Sequence, residues 1–586
     1  MRRISRRLAL GVSLFPFLSL AACSQPGTAA AAVPTIQPLV TSTASTVKSV
    51  TTAQTGPVYG VAIDASQRLR PISLLIYGLA GGSPALQKQI RPSLARWGGN
   101  PSSRYNWSLG NAWNAARDYE FRNGNYGNTA PDDRQPSGVA DKAIAANRAI
   151  GAATLLTVPA LGWVAKDDNS NSRSLNVPTG GGPALAGSSV AAVAGYDPSL
   201  NRIRTSVPSA ARAAAGAPPG TVVQQEWVQH LVKTFGDAAH GGVRYFAIDN
   251  EPDLWDATHT DVHPAQMSYD STLTTFLDYA TATKEADPTA LVTGPVVSGW
   301  TGFYYSALDR GTDNFRTSAD RNAHSGTPFL PWWLAQVRQH DEQAGKRTLD
   351  VLDVHWYPQG GEYTAGGTDP KMNALRLRST RSLWDPTYVD ESWIGKIWDE
   401  HKVQGVVRLI PRLHEWVNAN YPGTKIGITE WNWGADDTPN GALAIAEVLG
   451  IFGREGVDLA AYWTAPKEGG PGAVAFQAYR NYDGNGGQFG TTALAAATTN
   501  DDQLSCFASL DDAGAVVTSV ILNKDAATAA SVSIQVSHFN GSSVAGYQYA
   551  GALNALPPLA ALKLENGRLA LTLPPSSITV LRFSPQ

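Results

Sequence analysis

The chain has 586 residues, of which 43% are hydrophobic and 16% charged, with a formal net charge of −3. Single cores seldom grow beyond ~250–300 residues, so one large domain and one small one is the simplest division. No Lys/Arg run follows the first few residues, so no basic field exists to neutralise phosphates, which argues against nucleic acid as a partner.

Residues 1–23, "MRRISRRLALGVSLFPFLSLAAC", set Arg2, Arg3, Arg6 and Arg7 before an apolar run from Leu8 to Ala22. This is the layout of a secretory signal rather than a spanning helix, and it leads us to expect export. "LAAC" resembles a bacterial lipoprotein processing box, which would make Cys23 a lipidated N-terminus held at the cell envelope; the alternative is a plain signal peptide and a secreted protein. Without Cys23, Cys506 stands alone and no internal disulfide can form. Residues 24–57 are Ala/Thr/Ser/Val-rich with almost no charge and no aromatic residue, a composition suited to a flexible linker.

"VYGVAID" from Val58 alternates in the manner of a strand, and residues 58–70 are expected to join the C-terminal domain. Across 71–490, short apolar runs alternate with amphipathic stretches. Strands are read near Ile72, Ser93, Ala152, Val243, Ala290, Leu349, Lys425 and Val457. Helices are read at Gln225–His240, Thr272–Ala286, Pro331–Ala344, Val406–Asn420 and Ala442–Arg454. The pattern implies a (β/α)8 barrel; an open doubly wound sheet is the runner-up, but no glycine-rich phosphate loop supports it. From 491 to 586 the texture is alternating β-branched residues with Gly/Asp/Asn turns, an all-β sandwich. All 17 Trp lie between Trp97 and Trp463, so the sandwich lacks tryptophan platforms and reads as structural.

Two strands end in carboxylates. "YFAIDNEPDLW" carries Glu251 and "KIGITEWNW" carries Glu430, at the tips of the fourth and seventh barrel strands. Pro252 disfavours the right-handed helical region at Glu251, so an extended exit from the strand is expected. Carboxylates facing each other at ~5–5.5 Å over the barrel mouth suit a retaining glycosidase. Arg96 at the tip of the second strand would keep Glu430 ionised. Asn250 suits a sugar hydroxyl or the nucleophile's neighbourhood, and Asn100 joins the same binding set. His355 and Tyr357 would hydrogen-bond the carboxylates, Trp463 would floor a pyranose ring, and Trp97, Trp300 and Trp431 are further stacking candidates. Each has a plainer alternative: a surface or ion-paired glutamate, a buried ion-pair arginine, a core histidine, a core tryptophan. His259 and His263 in "HTDVH", and the oxygens of "KDDNSN" at 166–171, read as solvated loops rather than metal ligands, and the metal set is left unknown. No G-x-S-x-G elbow is present.

"RWGGNPSSRYNW", "IDNEPDLW", "DVHWYPQ", "ITEWNWG" and "YRNYDGNGGQFG", in this order, resemble glycoside hydrolase family 44 from about Val58 to the C-terminus. The resemblance implies a retaining endo-β-1,4-glucanase on a (β/α)8 barrel with an attached sandwich, acting on cellulose derivatives and xyloglucan. It places the acid/base on Glu251 and the nucleophile on Glu430. No cofactor is implied for catalysis; structural calcium is a carry-over without matched ligands. The partner expected is a polysaccharide, with a membrane engaged through the lipid anchor alone, and the protein is expected to be a monomer. The alternatives are a β-mannanase or xylanase on the same scaffold, or a non-catalytic glycan-binding lipoprotein. The segment 165–220 departs from the family pattern as a long Ala/Gly-rich insertion expected at the cleft rim.

Overall fold

The computed structural model describes residues 58–585 except 115–116, 118–120, 122, 127–129, 169–202, 398–404, 552–553 and 566. The signal, the linker, Cys23 and most of the 165–220 insertion lie outside the described residues. Among those described, no helix is long and apolar enough to cross a membrane.

Eight parallel strands close into a barrel: Gly78–Ala80, Leu94–Trp97, Ala153–Val158, Tyr245–Ile248, Leu291–Val297, Val351–Trp356, Lys425–Trp431 and Leu459–Tyr462. A helix follows each in turn, at Pro84–Ile90, Gly138–Ala149, Gln224–Phe235, Tyr269–Ala286, Phe329–Ala344, Leu409–Asn420, Pro439–Glu455 and Pro471–Arg480. Two elements depart from expectation. The first strand starts at Gly78 rather than Ile72, because Ser73 caps a 3-10 turn over Leu74–Ile76 by accepting the Leu75 N–H. The helix expected to reach His240 stops at Phe235, where Gly236 takes φ +90°, a conformation open to glycine.

The barrel interior is a packed layer, with Leu94, Leu155, Tyr245, Ala247, Val296, Val351, Leu459 and Ala461 in one cluster. Above it, nearer the carboxyl ends of the strands, polar residues replace apolar ones. Period-two alternation explains the change of environment from one residue to the next: Trp356 and Trp431 join the core outside the barrel while His355 and Glu430, on neighbouring strands, meet inside it.

Apart from a two-stranded and a three-stranded sheet in the segments after the second and third barrel strands, the other described strands form one eight-stranded sheet in the order Ser543–Tyr549, Ser577–Ser584, Val517–Asn523, Leu504–Leu510, Thr492–Thr498, Val58–Pro71, Ala530–Ser537 and Arg568–Leu573. Val58–Pro71 thus sits between two C-terminal strands, antiparallel to Thr492–Thr498 and parallel to Ala530–Ser537. Helix Pro439–Glu455 carries this domain. It is buried almost all round, as a helix must be when it packs on a barrel and a sheet at once. A Cβ added at its Gly450 would lie 2.3 Å from the Phe507 ring, so only glycine lets the two domains close to this distance.

Candidate active site

Glu251 leaves its strand in the left-handed region, φ +45° and ψ +57°, and not in the extended form the following proline suggests. Proline excludes the right-handed helical region; the left-handed alternative is held by the Glu251 N–H donating to the Val296 carbonyl at 2.9 Å. Val296 lies where the register between the fifth and sixth strands slips by one residue. The seventh strand has its own irregularity. Val354 pairs with Ile428 but His355 pairs with Glu430, so an extra residue, Thr429, is accommodated there. Thr429 already points inward, its hydroxyl bonding Asp353 at 2.8 Å. The bulge lets Glu430 point inward as well.

Glu251, Glu430 and His355 each offer an atom within 4.8 Å of the others. Arg96 Nη1 donates to Glu430 Oε1 at 2.6 Å, and Tyr357 OH donates to Glu430 Oε2 at 2.9 Å. The other arm of Arg96 donates to Asn250 Oδ1 at 2.8 Å, while Asn250 Nδ2 donates to Asn100 Oδ1 at 3.1 Å. His355 Nδ1 stands 2.8 Å from Glu251 Oε1 and 3.4 Å from Glu430 Oε2. The guanidinium lies 5.4 Å from the centre of the Trp463 ring, and a Cβ at Gly99 would collide with that ring, so the Gly98–Gly99 turn is what lets Trp463 lie over Arg96. The Arg96 and His355 side chains are closed to solvent, whereas those of Glu251 and Glu430 keep 5% and 6% exposure. The holders are buried and the carboxyls remain reachable.

The two carboxyls differ electrically. Burial works to raise Glu430, but the charges of His355 and Arg96 and the hydrogen bonds from Arg96 and Tyr357 overcome it, holding the carboxyl below its ordinary value. Burial, reinforced by Arg96, also holds His355 below its ordinary value. Arg96 is therefore the cation that persists at neutral pH. Burial keeps the Tyr357 phenol well above its ordinary range, so it remains a donor.

Arg96, Asn100, Asn250, His355, Tyr357 and Trp463 thus gather around the two glutamates. Three tryptophans do not. Trp431 is fully buried among Trp433, Phe452 and Tyr462, and Trp300 is buried against Phe303, Tyr304 and Trp356, so neither offers a face to a sugar. Trp431 follows Glu430 on the same strand and points to the opposite side. Trp97, for the same reason as the neighbour of Arg96, is half-buried among Tyr105, Tyr126 and Trp227. His259 is not on a solvated loop: it is fully buried, and burial, with Arg104 adding, holds its pKa well below the ordinary value. Residues that the sequence reading missed include Asp249 and Asn432. Asn432 donates to the Trp463 carbonyl at 2.5 Å and steadies that ring, and its place two residues after Glu430 was the available signal.

Among the described residues, the one group of three His, Cys, Asp or Glu side chains close enough to grip an ion is Glu251–His355–Glu430. An ion there would occupy both carboxylates. In the 166–171 segment, Asp168 faces the Arg134 guanidinium at 3.2 Å, and residues 169–171 lie outside the described ones.

The sequence model of glycoside hydrolase family 44 matches residues 112–360. Endoglucanase A of Paenibacillus lautus is 32% identical over 506 residues, covering 83% of this chain and 67% of that protein. The crystal structure of CelM2, a bifunctional glucanase-xylanase from a metagenome library, superposes with a TM-score of 0.79 at 37% identity, over 91% of this chain and all of that one. A Paenibacillus polymyxa family 44 xyloglucanase solved with xyloglucan gives 0.78 at 27% identity, over 90% of this chain and all of that one. Shared residues along most of the length, on one and the same architecture, leave a single assignment: the chain belongs to glycoside hydrolase family 44.

Proposed function

We propose that the protein is a retaining endo-β-1,4-glucanase that also takes xyloglucan, with Glu430 as nucleophile and Glu251 as acid/base. The observation that carries the reading is the asymmetry of a close carboxyl pair, with the Arg96 guanidinium bonded to Glu430. Of two carboxyls so near each other, the one beside the guanidinium stays ionised and the other keeps the proton. In the first step a Glu430 oxygen attacks the anomeric carbon, the glycosidic C–O bond breaks, and Glu251 gives its proton to the departing oxygen. Once Glu430 is an ester its charge is gone. Glu251, now a carboxylate, takes a proton from water as that water attacks the same carbon and releases Glu430. Two inversions leave the anomeric configuration unchanged. Hydrolysis in this family needs no cofactor.

Relatives with glucanase, xyloglucanase and glucanase-xylanase activity support the substrate class, and the last of these favours xylan as a second substrate. Release of reducing ends from carboxymethylcellulose, xyloglucan, xylan and mannan, with Glu430→Gln as control, tests the reading. Absence of release from every β-glucan would leave the glycan-binding alternative, and release from mannan alone would leave the mannanase. Export and lipid attachment through Cys23 form part of the proposal, supported by the Arg-then-apolar run ending in "LAAC". Cys23→Ser would then move the protein from the membrane to the soluble fraction.

A further inference from the structure

Asp249 lies two residues before Glu251 and is 1% exposed. Its Oδ1 accepts the Ser103 hydroxyl and the Asn250 N–H, the latter at 2.7 Å; its Oδ2 accepts the Ala160 N–H at 2.5 Å and the Leu161 N–H at 2.8 Å. The donors come from segments that follow the second, third and fourth barrel strands. One carboxylate therefore ties three loops together at the barrel mouth. Four donors converge on it, which an ionised carboxylate satisfies and an amide cannot, because an amide presents a single acceptor oxygen.

The backbone around Asp249 is a conformation that needs such a tie. Asp249 has φ +62° and Glu251 φ +45°, both in the left-handed region that costs a non-glycine residue ~1–2 kcal/mol. Neighbouring ties run in parallel, with Asn250 to Asn100 and the Arg104–Asp261 ion pair at 2.8 Å. The turn Asn100–Arg104 is thus fastened to the chain after the fourth strand at three points, through Asp249, Asn250 and Asp261, and the first two immediately precede Glu251.

We propose that Asp249 is a positioning residue that acts through Glu251: its carboxylate locks the left-handed strand exit that aims the Glu251 carboxyl at the glycosidic oxygen. This rests on the reading of Glu251 as acid/base. Asp249 is 1% exposed and its oxygens are taken up by protein donors, so it acts through Glu251 and not on substrate itself. Its effect falls on the step in which a proton is delivered, and that gives it a signature separate from general loss of structure.

The test uses the full chain and two substrates that differ in their need for a proton. Xyloglucan has a poor leaving group and requires the acid, whereas an aryl cellotrioside with a 2,4-dinitrophenolate leaving group does not. In Asp249→Asn, kcat on xyloglucan is expected to fall by about 100-fold with KM within about threefold, while the first-turnover burst of dinitrophenolate changes by less than about fivefold. Equal losses on both substrates would overturn the proposal, as would an unchanged kcat on xyloglucan. Ser103→Ala removes one of the four bonds without altering the carboxylate, and it is expected to show the same split at about 3- to 10-fold. If Asp249→Asn does not fold, that variant decides, and equal or absent effects in it overturn the proposal. Glu251→Ala run alongside separates the two readings. Loss of its xyloglucan activity with the burst retained upholds the acid/base assignment, so a missing split at Asp249 or Ser103 then counts against the positioning role alone.

Discussion

Arg96 and Glu430 form an ion pair of 2.6 Å in which the guanidinium is closed to solvent and its second arm is occupied by Asn250. The charge beside Glu430, the proposed nucleophile, is therefore held in place by Asn250, the residue adjacent to Glu251, the proposed acid/base. Arg96→Met removes that charge. Burial then acts on Glu430 without it, its pKa rises, and the ionised fraction at a given pH falls. The expected result is an acidic limb of kcat/KM displaced to higher pH, with kcat lower by at least about 100-fold. A pH–rate profile with an unmoved acidic limb would contradict the assignment.

Tyr357→Phe deletes the 2.9 Å hydrogen bond to Glu430 Oε2 and little else. Bonds to charged groups are worth about 1.5–3 kcal/mol, so kcat/KM should fall by about 10- to 150-fold without loss of folded protein. Steady-state kinetics with a thermal melt read both quantities.

Burial pushes Asp249 up to about 6, against hydrogen bonds from Ser103, Ala160, Asn250 and Leu161 that act the other way. Facing it from helix Tyr269–Ala286 is Tyr279, which burial keeps above its ordinary range and neutral. A folded value above the unfolded one means that this group favours folding most at low pH and that its contribution is lost as pH rises through about 6. The cost of holding it ionised is on the order of 3 kcal/mol. Chemical denaturation at about pH 4 and about pH 8 should show Asp249→Asn gaining stability relative to wild type at the higher pH, while wild-type activity rises through the same range.

Gly450 faces Phe507 across the seam between barrel and sheet. Gly450→Val forces side-chain volume into that contact and should cost about 1–3 kcal/mol or more, read as a lowered melting temperature. Activity per folded molecule should be unchanged, since the Gly450–Phe507 contact shares no residue with the Glu251–His355–Glu430 cluster.

Trp431 and Trp463 end neighbouring strands but face different surroundings. Trp431→Ala empties a core site and should lower stability by about 3–5 kcal/mol. Trp463→Ala should instead raise KM or lower kcat on β-glucans while the melting temperature moves little. Calorimetry and kinetics on the two variants would show opposite patterns, and matching patterns would refute the distinction.

The barrel and both carboxylates were legible because each strand ends in a change of residue chemistry, from apolar runs such as "YFAI" to "DNE". What the sequence concealed was direction. Alternation assigns sides only while register is regular, and the extra residue at Thr429 turns Glu430 inward against the simple count. The stacking role expected for Trp431 failed for a related reason: adjacency in sequence to a site residue on a strand means opposition in space; Trp300 instead opens the short helix Trp300–Tyr304, which turns it into the core. Asp249 went unnoticed because three of its four donors are backbone N–H groups, which no pattern of side chains can reveal.

The strand Val58–Pro71 lies between Thr492–Thr498 and Ala530–Ser537, more than 400 residues later in the chain. On a ribosome this strand must therefore wait, with both of its edges bare, until nearly the entire polypeptide has been made. A shortened gene ending after the eighth barrel helix would strand that ribbon permanently, and bare β edges recruit other molecules. Trimming this enzyme to its catalytic half should accordingly yield clumped material unless residues 58–71 are cut away with the rest.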